Sequence, residues 1–133
     1  MKGVVIDAPV ALDWFLTPAD SGPAWQKVEV LDESAPVVPG IWRLEVTNAL
    51  ASHVRFRGLA PEIARGVLSE LLALPAAVVD DASPTGVMEL AISSGLTTYD
   101  ASYLDVAMRG GWPLATMDAD LIRAAGEVGV TLV

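Results

Sequence analysis

Short apolar runs alternate along the chain with longer stretches in which apolar residues recur every three or four positions. The short runs are typical of buried β-strands, and the longer stretches have helical periodicity. Six runs are predicted as strands: Lys2–Ile6, Val37–Val38, Ala76–Val79, Leu96–Tyr99, Pro113–Thr116 and Val130–Val133. Helices are predicted over Val10–Leu16, Ala24–Glu33, Ile41–Phe56, a stretch beginning at Pro61, Pro84–Ser94, the stretch from Asp100 to Arg109, and the stretch from Asp118 to Ala125.

This alternation predicts an α/β fold, a three-layer α/β/α sandwich with a short, mainly parallel central sheet. The length of 133 residues fits one domain, residues 1–133, which is large enough to bury a hydrophobic core without disulfides or structural metals. No internal repeat or linker composition interrupts the pattern. We therefore expect a single domain.

The hydrophobic fraction of 53% and the mean hydropathy of +0.47 make a membrane span the first alternative to consider. The longest stretch without a charged residue, Leu90–Tyr99, has about half of the roughly 20 residues that a spanning helix needs. Asp7 follows the short apolar start too soon for a signal peptide. We therefore expect a cytoplasmic protein outside the membrane, whose surplus apolar surface marks a partner interface.

The scarce residue types exclude several kinds of site. The sequence has no Cys and a single His, which excludes a disulfide framework, a thiolate zinc site, a Cys nucleophile and a His-rich metal centre. The formal net charge of −9 is of the wrong sign for broad contact with nucleic acid. One local basic cluster, Arg43 with His53, Arg55 and Arg57, is interpreted either as a solvated helix end or as an RNA-backbone contact.

Three acids, Asp7, Asp100 and Asp118, each follow a predicted strand. Since parallel strands point the same way, these carboxylates are expected at one edge of the sheet, where ligands bind in open α/β folds. The plain alternative is that each acid caps the helix after it. Capping suits Asp7 least, because Pro9 lacks an N–H and disfavours helical geometry at Ala8. The Asp7 carboxylate is therefore expected to lie free, just outside the helix.

A fourth acid, Glu45, lies about one turn inside the helix predicted over Ile41–Phe56, on a polar strip between two apolar sides. It either pairs with Asn48, three positions further on, or turns into a polar cleft. Two carboxylates about 4 Å apart repel by about 4 kcal/mol at an effective dielectric of about 20, so an acidic cluster requires protons or cations. Mg²⁺ and Mn²⁺ are hard cations suited to oxygen ligands.

Four segments carry these acids in order along nearly the whole chain: Val4–Phe15, Pro39–Leu50, Thr98–Tyr103 and Leu114–Asp118. Taken together, they resemble the PIN domain and, within it, the VapC-type toxins of bacterial toxin–antitoxin pairs. Each segment is short, but the ordered set is specific. The chain departs from the family pattern at Pro9, where a small hydroxyl or amide residue is usual.

The resemblance implies an endoribonuclease that depends on Mg²⁺ or Mn²⁺ and cleaves RNA with a metal-activated water. It implies the following catalytic residues and metal ligands: Asp7, Glu45, Asp100 and Asp118. Thr116 is implied as a supporting residue, and Asn48 is a further supporting candidate. The resemblance also favours Asp118 over Asp120 as a ligand, because Asp118 lies two residues after Thr116, which leaves Asp120 as an outer acid.

The partners implied by the resemblance are an RNA substrate, a cognate antitoxin that lies across the acidic cleft, and a second copy of the chain in a homodimer. The alternative function is a catalytically inactive PIN-like module that acts by binding protein or RNA. Four clustered acids argue against that alternative, because a purely structural domain gains nothing from their repulsion. A phosphotransferase with Asp7 as nucleophile would need an acid where Pro9 stands.

Overall fold

A four-stranded parallel sheet forms the middle layer of the protein. The computed structural model describes residues 2–16, 34–80 and 83–133. The strands are β1 (Gly3–Ile6), β2 (Ala35–Pro39), β3 (Ala77–Val79) and β4 (Leu114–Ala115). They lie in the order β3-β2-β1-β4, and every neighbouring pair is parallel. The predicted α/β sandwich with a short parallel sheet is confirmed.

Six helices of the described residues flank the sheet. They are α1 (Ala8–Leu16), α2 (Trp42–Arg57), α3 (Pro61–Leu72), α4 (Pro84–Ser94), α5 (Thr98–Gly110) and α6 (Ala119–Val128). The helices α2 and α4 end at Gly58 and Gly95, which have φ of 72° and 68°. Glycine adopts this left-handed conformation without the steric cost of a Cβ, so both helix ends were readable from the sequence.

The central helix is α5, which is buried on all sides over residues 101–107. It packs against β1, β2 and β4 and against the neighbouring helices α4 and α6. Strand β1 is equally enclosed, since Val4, Val5 and Ile6 are fully buried. Because α5 runs back toward the start of β4, its N-terminus lies at the carboxyl edge of the sheet. The core thereby brings the first turn of α5 to the edge where ligands bind in open α/β folds.

The segment Leu96–Tyr99 is not a strand, so that prediction is wrong. The helix α5 already begins at Thr98, and Thr97 caps it with a hydroxyl that accepts a hydrogen bond from the Asp100 N–H at 3.1 Å. The two threonines and the tyrosine favour β structure by propensity. One local side-chain bond outweighs that preference, because it satisfies a backbone donor at the start of the helix.

Two further predictions concern the remainder of the chain. The final strand expected over Val130–Val133 is reduced to a single parallel bridge between Leu114 and Leu132. The helix predicted over Ala24–Glu33 lies outside the described residues.

Within the part of the chain that the structure describes, no helix has both the length and the apolar character needed to cross a membrane.

Candidate active site

The strand order creates a ligand-binding edge beside β1. The neighbours of β1 are β2 on one side and β4 on the other, so the order reverses at its carboxyl end. In the register of β1 and β4, Ile6 lies opposite Ala115. The residues that follow them, Asp7 and Thr116, therefore meet at this edge.

The Thr116 side chain connects two of the candidate acids. Its Oγ1 donates a hydrogen bond to Oδ2 of Asp7 at 2.5 Å. The same oxygen accepts a hydrogen bond from the backbone N–H of Asp118 at 3.0 Å. Thr116 and Asp7 are both buried, so this hydroxyl holds the end of β4 and the start of α6 against Asp7.

Asp7 is the most deeply buried candidate acid, with 3% of its surface exposed. Its Oδ1 accepts a hydrogen bond from the Val10 N–H at 2.9 Å, so Asp7 caps α1 and the prediction of a free carboxylate is wrong. Pro9 removes the donor at the second helical position, but the third position still supplies one. Burial is the main cause that raises the pKa of Asp7 to about 6; the charges of Asp100 and Asp118 add to it, and the two hydrogen bonds oppose it.

Asp100 lies half-buried in the first turn of α5. Burial raises its pKa, and the carboxylates of Asp118 and Glu45 raise it further, whereas its hydrogen bond with Thr97 lowers it. Such electrostatic effects require proximity between the charges. Asp100 thus lies within electrostatic range of the other three acids, although a helix start rather than a strand end carries it there.

Glu45 accepts a hydrogen bond from Tyr103. In the sequence pattern, Tyr103 belongs to the apolar face of α5. The Tyr103 hydroxyl donates a hydrogen bond to Oε1 of Glu45 at 2.5 Å and so joins α5 to α2. Tyr103 is buried, and its burial together with the Glu45 carboxylate raises the pKa of the hydroxyl far above its usual value. The hydroxyl therefore remains a donor at every ordinary pH.

The two alternatives for Glu45 are resolved by this bond and by the space around it. Glu45 and Asn48 both line a cleft of about 540 Å³, together with Tyr99. The hydrogen-bond partner of Glu45 is Tyr103 rather than Asn48. Glu45 accordingly follows the second alternative, in which it turns into a cleft.

Two acids lie at the start of α6. Asp118 caps this helix, since its Oδ1 accepts a hydrogen bond from the Leu121 N–H at 2.9 Å. Asp120 lies 3.9 Å from the Arg123 guanidinium in an exposed ion pair. The charge of Asp118 affects the pKa of Asp100 more strongly than the charge of Asp120 does. Asp118 is therefore closer to the electrostatic centre of the cluster, and its choice over Asp120 as a ligand stays a prediction.

The four acids form an all-oxygen donor set, whose chemistry suits a hard cation such as Mg²⁺ or Mn²⁺. The raised pKa values of Asp7 and Asp100 reflect burial and a repulsion that a cation would relieve. Within residues 2–16, 34–80 and 83–133, no three Asp, Glu or His side chains lie close enough to form a ready-made metal site. Metal binding by this set therefore requires the more exposed carboxylates to turn toward Asp7.

Two residues that shape the site are absent from the sequence-based predictions. Tyr103 lies three positions after Asp100, which places both on neighbouring parts of one helix face. Thr97 lies three positions before Asp100, which is the spacing of an N-cap hydroxyl. Both spacings are present in the sequence. The apolar pattern of α5 makes Tyr103 resemble an ordinary core residue, and the β-favouring residues around Thr97 make that segment resemble a strand.

Comparisons with known proteins agree with this architecture. The sequence matches the PIN domain model over residues 4–127. No curated protein matches it. The structure is similar to PAE2754 from Pyrobaculum aerophilum, with a TM-score of 0.73 and 26% identity, over 92% of this chain and 79% of that one.

Two more distant structures show the same fold. The first is VapBC2 from Rickettsia felis, bound to a DNA fragment from its promoter, with a TM-score of 0.69 and 14% identity over 98% of this chain and 97% of that one. The second is VapC20 of Mycobacterium tuberculosis, a toxin that cleaves the sarcin-ricin loop, with a TM-score of 0.66 and 11% identity over 98% of both chains. Because the family model covers nearly the whole sequence, the chain belongs to the PIN domain family.

Proposed function

We propose that the protein is a metal-dependent endoribonuclease and acts as the toxin of a toxin–antitoxin pair. Membership of the PIN domain family supports a nuclease, and the likeness to VapBC2 and to the loop-cleaving toxin VapC20 supports the toxin role. The observation that carries the proposal is the meeting of Asp7, Thr116 and Asp118 at the carboxyl edge of the sheet, where hydrogen bonds through the Thr116 hydroxyl join them. Asp100 lies within electrostatic range of this group.

In this proposal Asp7, Asp100 and Asp118 hold a divalent cation, and Glu45 completes its ligands or orients water. When bound, Mg²⁺ or Mn²⁺ supplies positive charge and Lewis acidity toward a scissile phosphate. The chain itself supplies orientation. Hydrogen bonds from Thr116 and from the Val10 N–H fix the Asp7 carboxylate.

Tyr103 gives Glu45 a defined direction. Its bond occupies Oε1 of Glu45, so Oε2 is the oxygen available to a reactant in this proposal. A carboxylate in this position orients an attacking water and accepts its proton, as a general base does. No covalent nucleophile is needed, in keeping with a sequence that has no Cys.

The proposal extends to the partners. A cognate antitoxin that lies across the acidic cleft would exclude RNA from it, and a second copy of the chain would form a homodimer. The site of action is the cytoplasm, where RNA substrates are present.

The test is cleavage of structured RNA by the full chain with Mg²⁺ or Mn²⁺. Asp100→Asn should lower kcat by at least about 100-fold, because one ligand charge is lost. Glu89→Gln removes an exposed acid of α4 outside the site, and it should cleave as the parent chain does. Equal cleavage by the parent chain and Asp100→Asn would show that the metal-site assignment is wrong.

One observation favours a second candidate, a catalytically inactive PIN-like module. The described residues hold no ready-made group of three metal-ligating side chains. A module that only binds protein or RNA needs no such group. Calorimetric titration with Mn²⁺ separates the two candidates. Absence of both metal binding and RNA cleavage would establish the binding module.

A further inference from the structure

The helix α4 ends at a buried residue whose carbonyl is bound by another helix. The last carbonyls of an α-helix have no N–H partner within the helix. Ser94, the final residue of α4, has 4% of its surface exposed, and a buried carbonyl without a partner is costly. Nη2 of Arg123 donates a hydrogen bond to this carbonyl at 2.9 Å. Arg123 thereby joins α6 to the end of α4, across 29 positions of sequence.

The Arg123 guanidinium is held by two acids of its own helix. Nη1 donates a hydrogen bond to Oε1 of Glu127 at 3.1 Å, and Nη2 lies 3.9 Å from Oδ1 of Asp120. These partners lie four positions after Arg123 and three before it, so all three side chains share one helix face. Each ion pair is exposed to solvent and weak by itself. Together they orient the guanidinium toward the Ser94 carbonyl.

The bond from Arg123 reaches the turn that places Asp100. Thr97, the cap of α5, lies three positions after Ser94 and three before Asp100. Its hydroxyl accepts a hydrogen bond from the Asp100 N–H at 3.1 Å. Residues 95–97 are called here the α4–α5 turn. Arg123 therefore connects α6, the helix that Asp118 caps, to the turn that leads to Asp100.

Repulsion acts between the two sides of this connection. Burial is the main cause that raises the pKa of Asp100, and the carboxylates of Asp118 and Asp120 at the start of α6 raise it further. The same repulsion pushes the first turn of α5 away from the start of α6. The ion pair of Arg123 with Asp120 offsets part of the charge, and its hydrogen bond to α4 opposes the separation.

We propose that Arg123 is a positioning residue of the acidic site, which ties α6 to the α4–α5 turn and so keeps Asp100 within reach of a cation held by Asp7 and Asp118. This inference rests on the proposed metal-dependent function. Arg123 contacts neither the cation nor the RNA. It acts by fixing the relative places of two carboxylates that different helices carry.

The test is calorimetric titration of the full chain with Mn²⁺. Arg123→Met keeps an unbranched side chain and removes every donor. It should weaken Mn²⁺ binding about fivefold or more, as the loss of contacts that support metal ligands does. The sign of the change separates positioning from simple charge. A positive side chain near a cation site repels the cation, so loss of the Arg123 charge alone would tighten Mn²⁺ binding.

Arg109→Met is the matched control. The Arg109 side chain is about as exposed as that of Arg123, pairs with Asp105 on its own helix, and donates a hydrogen bond to the Asp80 carbonyl, 29 positions away. It lies nine positions after Asp100 on α5, about 13 Å along the helix axis. Arg109→Met thus removes the same kind of link away from the acids, and should change Mn²⁺ affinity less than about twofold.

RNA cleavage supplies a second measurement. Arg123→Met should raise the Mn²⁺ concentration for half-maximal cleavage about fivefold or more, and its kcat at saturating Mn²⁺ should stay within about threefold of the parent chain, because mass action compensates for a weaker site. Asp100→Asn, which lacks a ligand, should remain impaired at saturating Mn²⁺.

Amide hydrogen exchange measures the link between the helices without metal. In Arg123→Met the Asp100 N–H should exchange about threefold faster or more, because the α4–α5 turn opens more often. In Arg109→Met it should exchange as in the parent chain.

Mn²⁺ binding by Arg123→Met that equals or exceeds that of the parent chain would overturn the inference and leave the proposed function intact. Equal losses in Arg123→Met and Arg109→Met would also overturn it, since any lost link between helices and strands would then have the same effect. Failure of the proposed function is a separate result, in which the parent chain neither binds Mn²⁺ nor cleaves RNA. That result would overturn the role of Arg123 at a metal site, even if faster exchange at Asp100 confirmed the link.

Discussion

The two halves of the acidic site are built in different ways. Asp7 meets Thr116 because β1 and β4 pair in register, and both residues are buried in the sheet. Glu45 meets Tyr103 because α2 and α5 pack together, and 58 positions of sequence separate the two residues. The sheet half depends on backbone pairing, whereas the helix half depends on one side-chain bond. We therefore expect changes in the sheet half to affect folding as well as activity, and changes in the helix half to affect mainly activity.

The largest expected effect concerns the buried charge of Asp7. Its pKa is about 6 in the folded protein against an ordinary value of 3.8. Between these values the folded state binds more protons than the unfolded state, so stability falls as the pH rises and the loss is complete above the folded pKa. The shift corresponds to about 3 kcal/mol of unfolding free energy. Asp7→Asn, which is neutral throughout, should lack this fall.

Urea unfolding from about pH 4 to about pH 8 in the absence of divalent cations measures this difference. Glu70→Gln, an exposed acid of α3, serves as the control and should keep the pH dependence of the parent chain. If the unfolding free energy of the parent chain and of Asp7→Asn depends on pH in the same way, the raised pKa of Asp7 is contradicted.

A smaller effect is expected from Thr116→Val, which preserves the shape of the side chain. It removes a buried hydrogen bond to the Asp7 carboxylate and the acceptor of the Asp118 N–H. The expected cost is about 2 kcal/mol of unfolding free energy. The pKa of Asp7 should rise further, because the Thr116 bond lowers it.

Thr47→Val supplies the matched control for the threonine. Among the residues that the structure describes, the Thr47 hydroxyl bonds only to the Arg43 carbonyl within its own helix, at 2.7 Å and in an exposed position. Its loss should cost about 0.5 kcal/mol or less. If Thr116→Val and Thr47→Val lower the unfolding free energy equally in urea, the Thr116 hydrogen bond contributes no more to stability than an ordinary surface bond.

The smallest expected change in stability comes from Tyr103→Phe, which keeps the buried ring and removes the bond to Glu45. Its cost should be about 1 kcal/mol or less, because the half-buried Glu45 carboxylate can turn to water. RNA cleavage should nevertheless fall about threefold to tenfold through kcat, since Glu45 loses its orientation. Tyr99→Phe, whose hydroxyl is outside this bond, should cleave normally. Unchanged kcat in Tyr103→Phe would mean that Glu45 needs no positioning.

Much of the sheet half was predictable from sequence alone. The Val-Val-Ile run before Asp7 reads as a buried strand, and a parallel sheet brings the ends of its strands to one edge. Glycines also mark the ends of the helices, as Gly58 and Gly95 illustrate. These features depend on the spacing of apolar residues and on backbone preferences of neighbouring residues, so they can be predicted from a single sequence.

The helix half was less predictable, because its contacts join distant parts of the chain. The spacing of α5 identifies Tyr103 as a core residue, but only packing shows that its hydroxyl reaches Glu45. The residues at the start of α5 favour β structure, so the sequence predicts a strand there. The hydrogen bond from the Asp100 N–H to the Thr97 hydroxyl outweighs that preference. Capping by Asp7 is likewise difficult to predict, because Pro9 removes one backbone donor whereas the Val10 N–H still supplies another.

The pairing of Ile6 with Ala115 also determines how such a nuclease could be disarmed during evolution. Successive strand residues point to opposite faces, so one codon inserted between residues 115 and 116 would displace the threonine by about 3.3 Å and turn it away from Asp7. All four acids would remain in the gene. A survey of homologues that counts only carboxylates would classify such a chain as active, whereas a survey that also counts the spacing between strand and threonine would detect the loss.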